Sequence, residues 1–362
     1  MKKNLVIRNE EELKLNVDKI FLSDCNVFIS SVTNLESFKY FNTITNLKIC
    51  AIDPIEFNEN ILIDTSFLNY LHDLKYLSIE NDDHIENLNL SKLEHLDTLL
   101  IMSCHLLRNI EGLANLHNLR TLVIYDVPNL DRNFYQYLIR IISKTNIDRV
   151  ILDITTYSLF SKEQLEKLKL YNIYFAEKIG YKDNYIYSLK MMEEYHKRAL
   201  EVYKQVHSTT DSLYETLKSY YEYVKTVNYD DESLEKRQEY IKNSGKFYKF
   251  NNRFKSISSS YKALMQNSAI CEGYVNLLRY FYSLENIDLY PVFCYYKNSS
   301  HVAGKAFIDG TEVYFDPELD RRFNNNNNYM TISSDFLVNH EINFYRDNFD
   351  IIIENNNRVR KE

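Results

Sequence analysis

A spacing of apolar residues at first, fourth and sixth places recurs along the first half of this chain. It reads Ile44-x-x-Leu47-x-Ile49, Leu74-x-x-Leu77-x-Ile79, Leu96-x-x-Leu99-x-Ile101, Leu119-x-x-Leu122-x-Ile124 and Ile147-x-x-Val150-x-Leu152. The fourth and sixth places put two apolar side chains on one face of a short strand. One such strand cannot bury that edge alone, so the units must stack, each covering the next. The central intervals are 22 and 23 residues, while outer intervals of 27 to 30 residues imply insertions or irregular segments. Val17-x-x-Ile20-x-Leu22 is expected to begin the stack.

The best units run Asn69-Tyr70-Leu71-His72-Asp73-Leu74-Lys75-Tyr76-Leu77-Ser78-Ile79 and Ala114-Asn115-Leu116-His117-Asn118-Leu119-Arg120-Thr121-Leu122-Val123-Ile124. They resemble the leucine-rich repeat family over about residues 15 to 158. The resemblance implies a solenoid with strands lining one face, a form that mostly binds protein. Exposed strand positions are expected at Lys48, Lys75, Ser78, Thr98, Arg120 and Val123, a mixture without one dominant sign.

The second half holds an ordered trio: Cys271 opening an apolar helical run, then His301, then Asp316 beyond an Asp309-Gly310 turn. Thiol, imidazole and carboxylate are the groups a cysteine nucleophile needs. In Ser268-Ala269-Ile270-Cys271-Glu272-Gly273-Tyr274 a serine precedes apolar residues continued by Val275, Leu278, Phe281 and Tyr282 at helical spacing. Ser268 is therefore expected to cap a helix and to set the sulfur in its first turn, where N–H groups favour a thiolate. Leu289 to Tyr295 reads as a buried strand, and His301 to Phe307 with Glu312 to Phe315 as a hairpin. If 308 faces 311, then 303 faces 316, and His301 shares a face with Asp316 as a diagonal neighbour at roughly 7 Å.

Residues from about Tyr220 to Arg346 resemble the transglutaminase-like superfamily of papain-like thiol enzymes. The matching stretches are Tyr220-Tyr221-Glu222-Tyr223-Val224-Lys225-Thr226-Val227-Asn228-Tyr229-Asp230, Cys271-Glu272-Gly273-Tyr274, His301 at a strand head, and Asp316-Pro317-Glu318-Leu319-Asp320. The resemblance implies Cys271 as nucleophile, His301 as general base and acid, and Asp316 as the residue orienting the imidazole. Family members usually follow the histidine with Ala-Trp-Asn, where this chain has Val302-Ala303-Gly304 and no tryptophan anywhere. Some members are catalytically silent interaction domains. The backbone N–H of Cys271 would be one oxyanion donor, and Gln266 is a candidate for the other.

These readings give an α+β protein: a repeat solenoid over 1–160, a linker over 161–187, and 188–362 as a helical lead-in plus a transglutaminase-like domain with its core at about 220–346. The linker break is expected at Gly180-Tyr181-Lys182-Asp183-Asn184. The lead-in is expected as helices over about Ser188 to Tyr229, interrupted near Ser208-Thr209-Thr210, and Asp231 to Ser244. The asparagine tract Asn324 to Asn328 reads as a loop before a last strand or helix near Tyr329 to Phe349.

At 362 residues the chain suits two domains, and 45% hydrophobic with 26% charged residues marks it as globular. A net charge of -8 without a basic, aromatic-interleaved patch argues against nucleic acid as a partner. No phosphate-binding glycine loop or clustered ligand motif calls for a nucleotide, cofactor or metal. Five cysteines, Cys25, Cys50, Cys104, Cys271 and Cys294, lack close pairing and fit a reducing compartment. Asn9-Glu10-Glu11-Glu12 interrupts any apolar leader and no membrane span is evident, so the expected location is cytoplasmic, or exported by a route without a usual signal peptide. The repeat-plus-thiol-enzyme arrangement resembles bacterial effectors. The expected function is amide acyl transfer through a Cys271 thioester on a protein substrate met by the repeats, as hydrolysis, deamidation or crosslinking; the alternative is a silent interaction scaffold.

Overall fold

The computed structural model describes residues 3–7, 11–12, 14–15, 25–29, 44–50, 65–80, 82, 84–145, 147–179, 183–209, 212–244, 256–296, 299–308, 310–323 and 331–332. It is a mixed α/β structure dominated by parallel strand pairing. The described residues divide into two compact units between Tyr174 and Phe175.

In the first unit, β1 (Lys3–Ile7), β2 (Cys25–Ile29), β3 (Asn46–Cys50), β4 (Tyr76–Glu80), β6 (Thr98–Met102), β8 (Thr121–Tyr125) and β9 (Arg149–Asp153) lie side by side in chain order. The short β5 (Asn87–Asn89) and β7 (Asn109–Glu111) form a second parallel pair. Pairing follows the apolar spacing residue for residue. Leu47, Leu77, Leu99, Leu122 and Val150 stand in one row, and Ile49, Ile79, Ile101, Ile124 and Leu152 in the next. The first-place residues Ile44, Leu74, Leu96, Leu119 and Ile147 are buried with them. Each buried side chain contributes roughly 1.5–3 kcal/mol relative to exposure, so the rows supply the drive to stack.

One backbone contact repeats between neighbouring units. The N–H groups of residue pairs 75–76, 97–98, 120–121 and 148–149 donate to the carbonyls of Thr45, Lys75, Asp97 and Arg120, at 2.7–3.1 Å. Past the strands, Ser103 and Asp126 adopt positive φ of 53° and 57°. Their strain is offset by a side-chain ladder: Ser103 Oγ donates to Asp126 Oδ2 at 2.7 Å, and Asp126 N–H to Asp153 Oδ2 at 2.8 Å.

Two strand positions expected to be exposed are buried. Ser78 and Val123 are 0% and 7% exposed. Val123 stands in register between Leu100 and Ile151, so apolar neighbours shield it on both sides. The Ser78 hydroxyl donates to Glu80 Oε1 at 2.6 Å, and Glu80 in turn pairs with Lys48. The expected opening unit at Val17, Ile20 and Leu22 lies outside the described residues.

Helix α1 (Arg132–Ile142) follows β8. The stretch 161–187, expected as a connector, carries α2 (Lys162–Leu168) and strands β10 (Ile173–Ile179) and β11 (Asp183–Ser188). Ser161 and Gln164 form a capping box that starts α2. Of the expected break, residues 180–182 lie outside the described residues.

The second unit contains α3 (Leu189–His207), α4 (Leu213–Lys225), β12 (Asn228–Tyr229), α5 (Asp231–Ser244), α6 (Ser260–Gln266), β13 (Ser268–Ala269) and α7 (Cys271–Leu284). There follow β14 (Leu289–Tyr296), β15 (Ser299–Ile308), β16 (Thr311–Phe315), α8 (Pro317–Phe323) and β17 (Thr331–Ile332). Ser188 and Ser212 cap α3 and α4, which explains why the apolar stripe breaks near Ser208. Helix α7 is the hub: residues 272–282 are all buried, packed against β14 and β15 and against α4, α6 and α8.

This core is built from tyrosine and phenylalanine, and its hydroxyls need partners. Tyr220 Oη donates to Glu285 Oε1 at 2.7 Å, Tyr282 Oη to the Leu217 carbonyl at 3.3 Å, and Tyr280 Oη meets His196 Nδ1 at 2.8 Å. Glu177 of β10 is wholly buried, accepting from Tyr187 Oη, from Ser260 N–H at 2.9 Å and from Ser260 Oγ at 2.7 Å. Burial pushes its carboxyl up to about 7, against hydrogen bonds from Tyr187 and Ser260 and the charge of Arg279. The asparagine tract 324–328 lies outside the described residues, as does 333–349 of the expected last element. Among the described residues no helix is long and apolar enough to cross a membrane.

Candidate active site

Strands β15 and β16 pair antiparallel with Ile308 opposite Thr311 and Phe307 opposite Glu312. Gly310 takes φ 80°, which glycine alone adopts at little cost, and Asp309 lies outside the described residues. Gly304 faces Phe315, which places Asp316 one step past the last pair, level with Ala303 and on the face of His301. His301 Nε2 and Asp316 Oδ2 are 2.7 Å apart. Asp316 Oδ1 accepts from Leu319 N–H at 3.0 Å, so the same carboxylate caps α8, with Pro317 as its first residue. His301 is 5% exposed and Asp316 0%, so neither group is free to turn away from the other.

Cys271 is the first residue of α7 and is partly exposed. Ser268 does not cap this helix: it lies in β13, opposite Asn228 of β12, and the residue at the cap is Ile270. The turn is held instead by backbone, with Ile270 N–H donating to the Ile257 carbonyl at 3.1 Å and Asp230 N–H to the Ala269 carbonyl at 2.9 Å. Gly273 is required by close approach, because a Cβ there would meet Ala269 Cβ at 2.7 Å and the Ile257 oxygen at 3.2 Å. The sulfur therefore sits on the first turn of a buried helix, at its positive end.

The structure brings Cys271, His301 and Asp316 together. Burial alone would push the imidazole down. The charge and hydrogen bond of Asp316, with a hydrogen bond and charge from Cys271, instead carry it well above its ordinary value. Nε2 is engaged by Asp316, so Nδ1 is the ring nitrogen that would exchange a proton with the thiol.

Three further residues were not singled out by their position in the sequence. Tyr229 stands opposite Ala269 in the β12–β13 pair, and its hydroxyl is raised by burial and by the charges of Cys271 and Glu318. The Arg322 guanidinium stands 4.9 Å from the centre of the Tyr229 ring. Glu318, 3% exposed, has Oε2 3.8 Å from His301 Nδ1 and Oε1 3.2 Å from Arg322 Nε. The Glu318-x-x-x-Arg322 spacing, a helical i,i+4 pair, was the signal that could have found two of them. Gln266, the candidate second oxyanion donor, is exposed at the end of α6, followed by Asn267 in the left-handed region.

His301, Asp316 and Glu318 also offer ligand-type atoms within 4.8 Å of one another. Nε2 and Oδ2 already satisfy each other at 2.7 Å, so an ion would have to displace that bond, and the trio is better suited to holding a proton.

No family model matches the chain, and no curated protein does. Among solved structures it is similar to one described as the crystal structure of a TGase, with a TM-score of 0.28 and 14% identity. The match covers 48% of this chain and 51% of that one, so the chain spans about half the length of the structure it matches.

Proposed function

We propose that the second unit is a transglutaminase-like, papain-like thiol enzyme that transfers acyl groups from protein or peptide amides through a thioester on Cys271. The observation that carries this reading is the buried 2.7 Å contact between His301 and Asp316 on a hairpin that presents the ring to Cys271. Cys271 Sγ attacks the amide carbonyl as His301 holds its proton. The C–N bond breaks as the imidazolium gives that proton to the departing nitrogen. Asp316 orients the ring and supports its positive charge throughout.

The developing oxyanion is met by the backbone N–H of Cys271 and by the Tyr229 hydroxyl, a donor kept protonated by its raised pKa. Water resolves the thioester to acid, and an amine resolves it to a new amide. The first unit is read as a leucine-rich repeat solenoid over 1–160 that meets the protein partner. The in-register rows of Leu and Ile at intervals of 22 and 23 residues support that reading.

The test uses p-nitrophenyl acetate, an activated acyl donor that needs no specific recognition. The expected result is a burst of nitrophenolate with the acetyl group on the Cys271 peptide, absent in Cys271→Ala. A burst of equal size in Cys271→Ala, or no acyl-enzyme at all, overturns the enzyme reading and leaves a silent interaction scaffold.

A further inference from the structure

Asp316 accounts for one nitrogen of the imidazole and Cys271 for the proton exchanged at the other. A second buried carboxylate nearby is unexplained by that relay. Glu318 sits two residues past Asp316 on α8 and is 3% exposed, in a place where an isolated charge would be costly. Its Oε2 is 3.8 Å from His301 Nδ1 and its Oε1 is 3.2 Å from Arg322 Nε. Arg322 in turn stands over the ring of Tyr229, whose hydroxyl feels the charge of Cys271. Glu318 thus joins the base, through Arg322, to the side chain proposed above as an oxyanion donor.

We propose that Glu318 is a positioning residue of the thiol site: its carboxylate supports the positive imidazole from the Nδ1 side and anchors Arg322 over Tyr229. The inference rests on the thiol-enzyme reading and deepens it. Among the groups facing the imidazole are Cys271 from α7, Asp316 at the head of α8 and Glu318 itself. Burial raises the Glu318 carboxyl above its ordinary value and Asp316 adds to that, while the charges of His301, Arg322 and Arg321 favour its charged form; Tyr229 and Tyr274 feel the charges of Glu318, Arg322 and Asp231. Two cations on the helix therefore offset part of the cost of burying the second acid. At 3.8 Å a carboxylate stabilises the ring cation without a direct hydrogen bond, so it adds charge support without competing for the proton Cys271 exchanges.

The sign of the effect is fixed by charge. A negative group beside an imidazolium raises its titration midpoint, so removing that group lowers it. The experiment follows the His301 ring by NMR of histidine-labelled full-length protein across pH. Glu318→Gln is expected to lower the His301 midpoint by about one pH unit. Glu318→Asp, which keeps the charge, is expected to restore at least half of that shift. Asp320→Asn serves as the control, because Asp320 lies on the same helix but pairs with Lys225 at 2.8 Å, and it should leave the midpoint in place. Glu318→Met replaces the glutamine variant should that one not fold. An unmoved midpoint in Glu318→Gln, or an equal shift in Asp320→Asn, overturns the proposal. The p-nitrophenyl acetate burst on the same samples separates the two failures: without an acyl-enzyme in the parent the thiol reading itself falls, and with one only the role of Glu318 does.

Discussion

The strands of the first unit pair with neighbours 20 to 30 residues away, whereas polar contacts in the second unit join residues as far apart as 98 positions. The difference shows in the two described free cysteines. Cys104 in the first unit is 0% exposed, its sulfur 3.6 Å from the Ile79 carbonyl oxygen and 3.5 Å from that of Met102. It acts as a small apolar filler with a weak donor. Cys271 has the opposite surroundings: partial exposure, a helix N-terminus and a charged ring. A periodic core places a sulfur by volume, while a non-repeating core can place one by chemistry.

The largest effect that would break this contrast is in the second unit. His301→Ala should slow acylation of Cys271 by p-nitrophenyl acetate on the order of 10²-fold or more, because positioned acid–base groups contribute that much. Asp316→Asn should slow it less while leaving Cys271 in place, and stopped-flow nitrophenolate release reads both. A His301→Ala protein that acylates at the parent rate would put Cys271 in the same class as Cys104.

Next comes the periodic core. Leu99 is 0% exposed in the row between Leu77 and Leu122, so Leu99→Ala should destabilise the first unit by about 3 kcal/mol through lost transfer energy and a cavity. Urea unfolding measures it, and a change below about 0.5 kcal/mol would mean that the row is not a packed core. Of similar size is the pH dependence from Glu177. Its folded midpoint of about 7 lies above the ordinary carboxyl value of 4.5. The contribution is therefore fully present below the unfolded value and is lost as pH rises through about 7. It is worth on the order of 3 kcal/mol, and Glu177→Gln should flatten the fall in Tm over that window. The smallest effect is at Ser161, whose removal from its capping box in Ser161→Ala should lower stability by about 1 kcal/mol by calorimetry.

Much of the ladder was legible in the chain because its signal is local. Leu47, Leu77, Leu99 and Leu122 carry the same spacing, and parallel pairing needs nothing else to find register. The His301 hairpin was legible for a related reason: the Asp309-Gly310 turn sets which residues face each other, and Ile308 opposite Thr311 follows. Burial on the far side of the sheet was not legible, since Ser78 and Val123 are covered by neighbours one unit away that no local pattern reports. Ser268 resembled a cap but was taken by pairing with Asn228, forty residues earlier, because a strand contact satisfies two residues where a cap satisfies one donor. Tyr229, Arg322 and Glu318 come together only once α8 turns back toward β12, a tertiary event without a period.

The claim at the centre is that Cys271 reacts because His301, held by Asp316, faces it. Time-resolved labelling of the folded protein with iodoacetamide at neutral pH, read peptide by peptide, tests this most directly. The account predicts that Cys271 is alkylated at least about tenfold faster in the parent protein than in His301→Ala, with Cys104 unlabelled in both. Equal rates at Cys271 with and without the imidazole would contradict it.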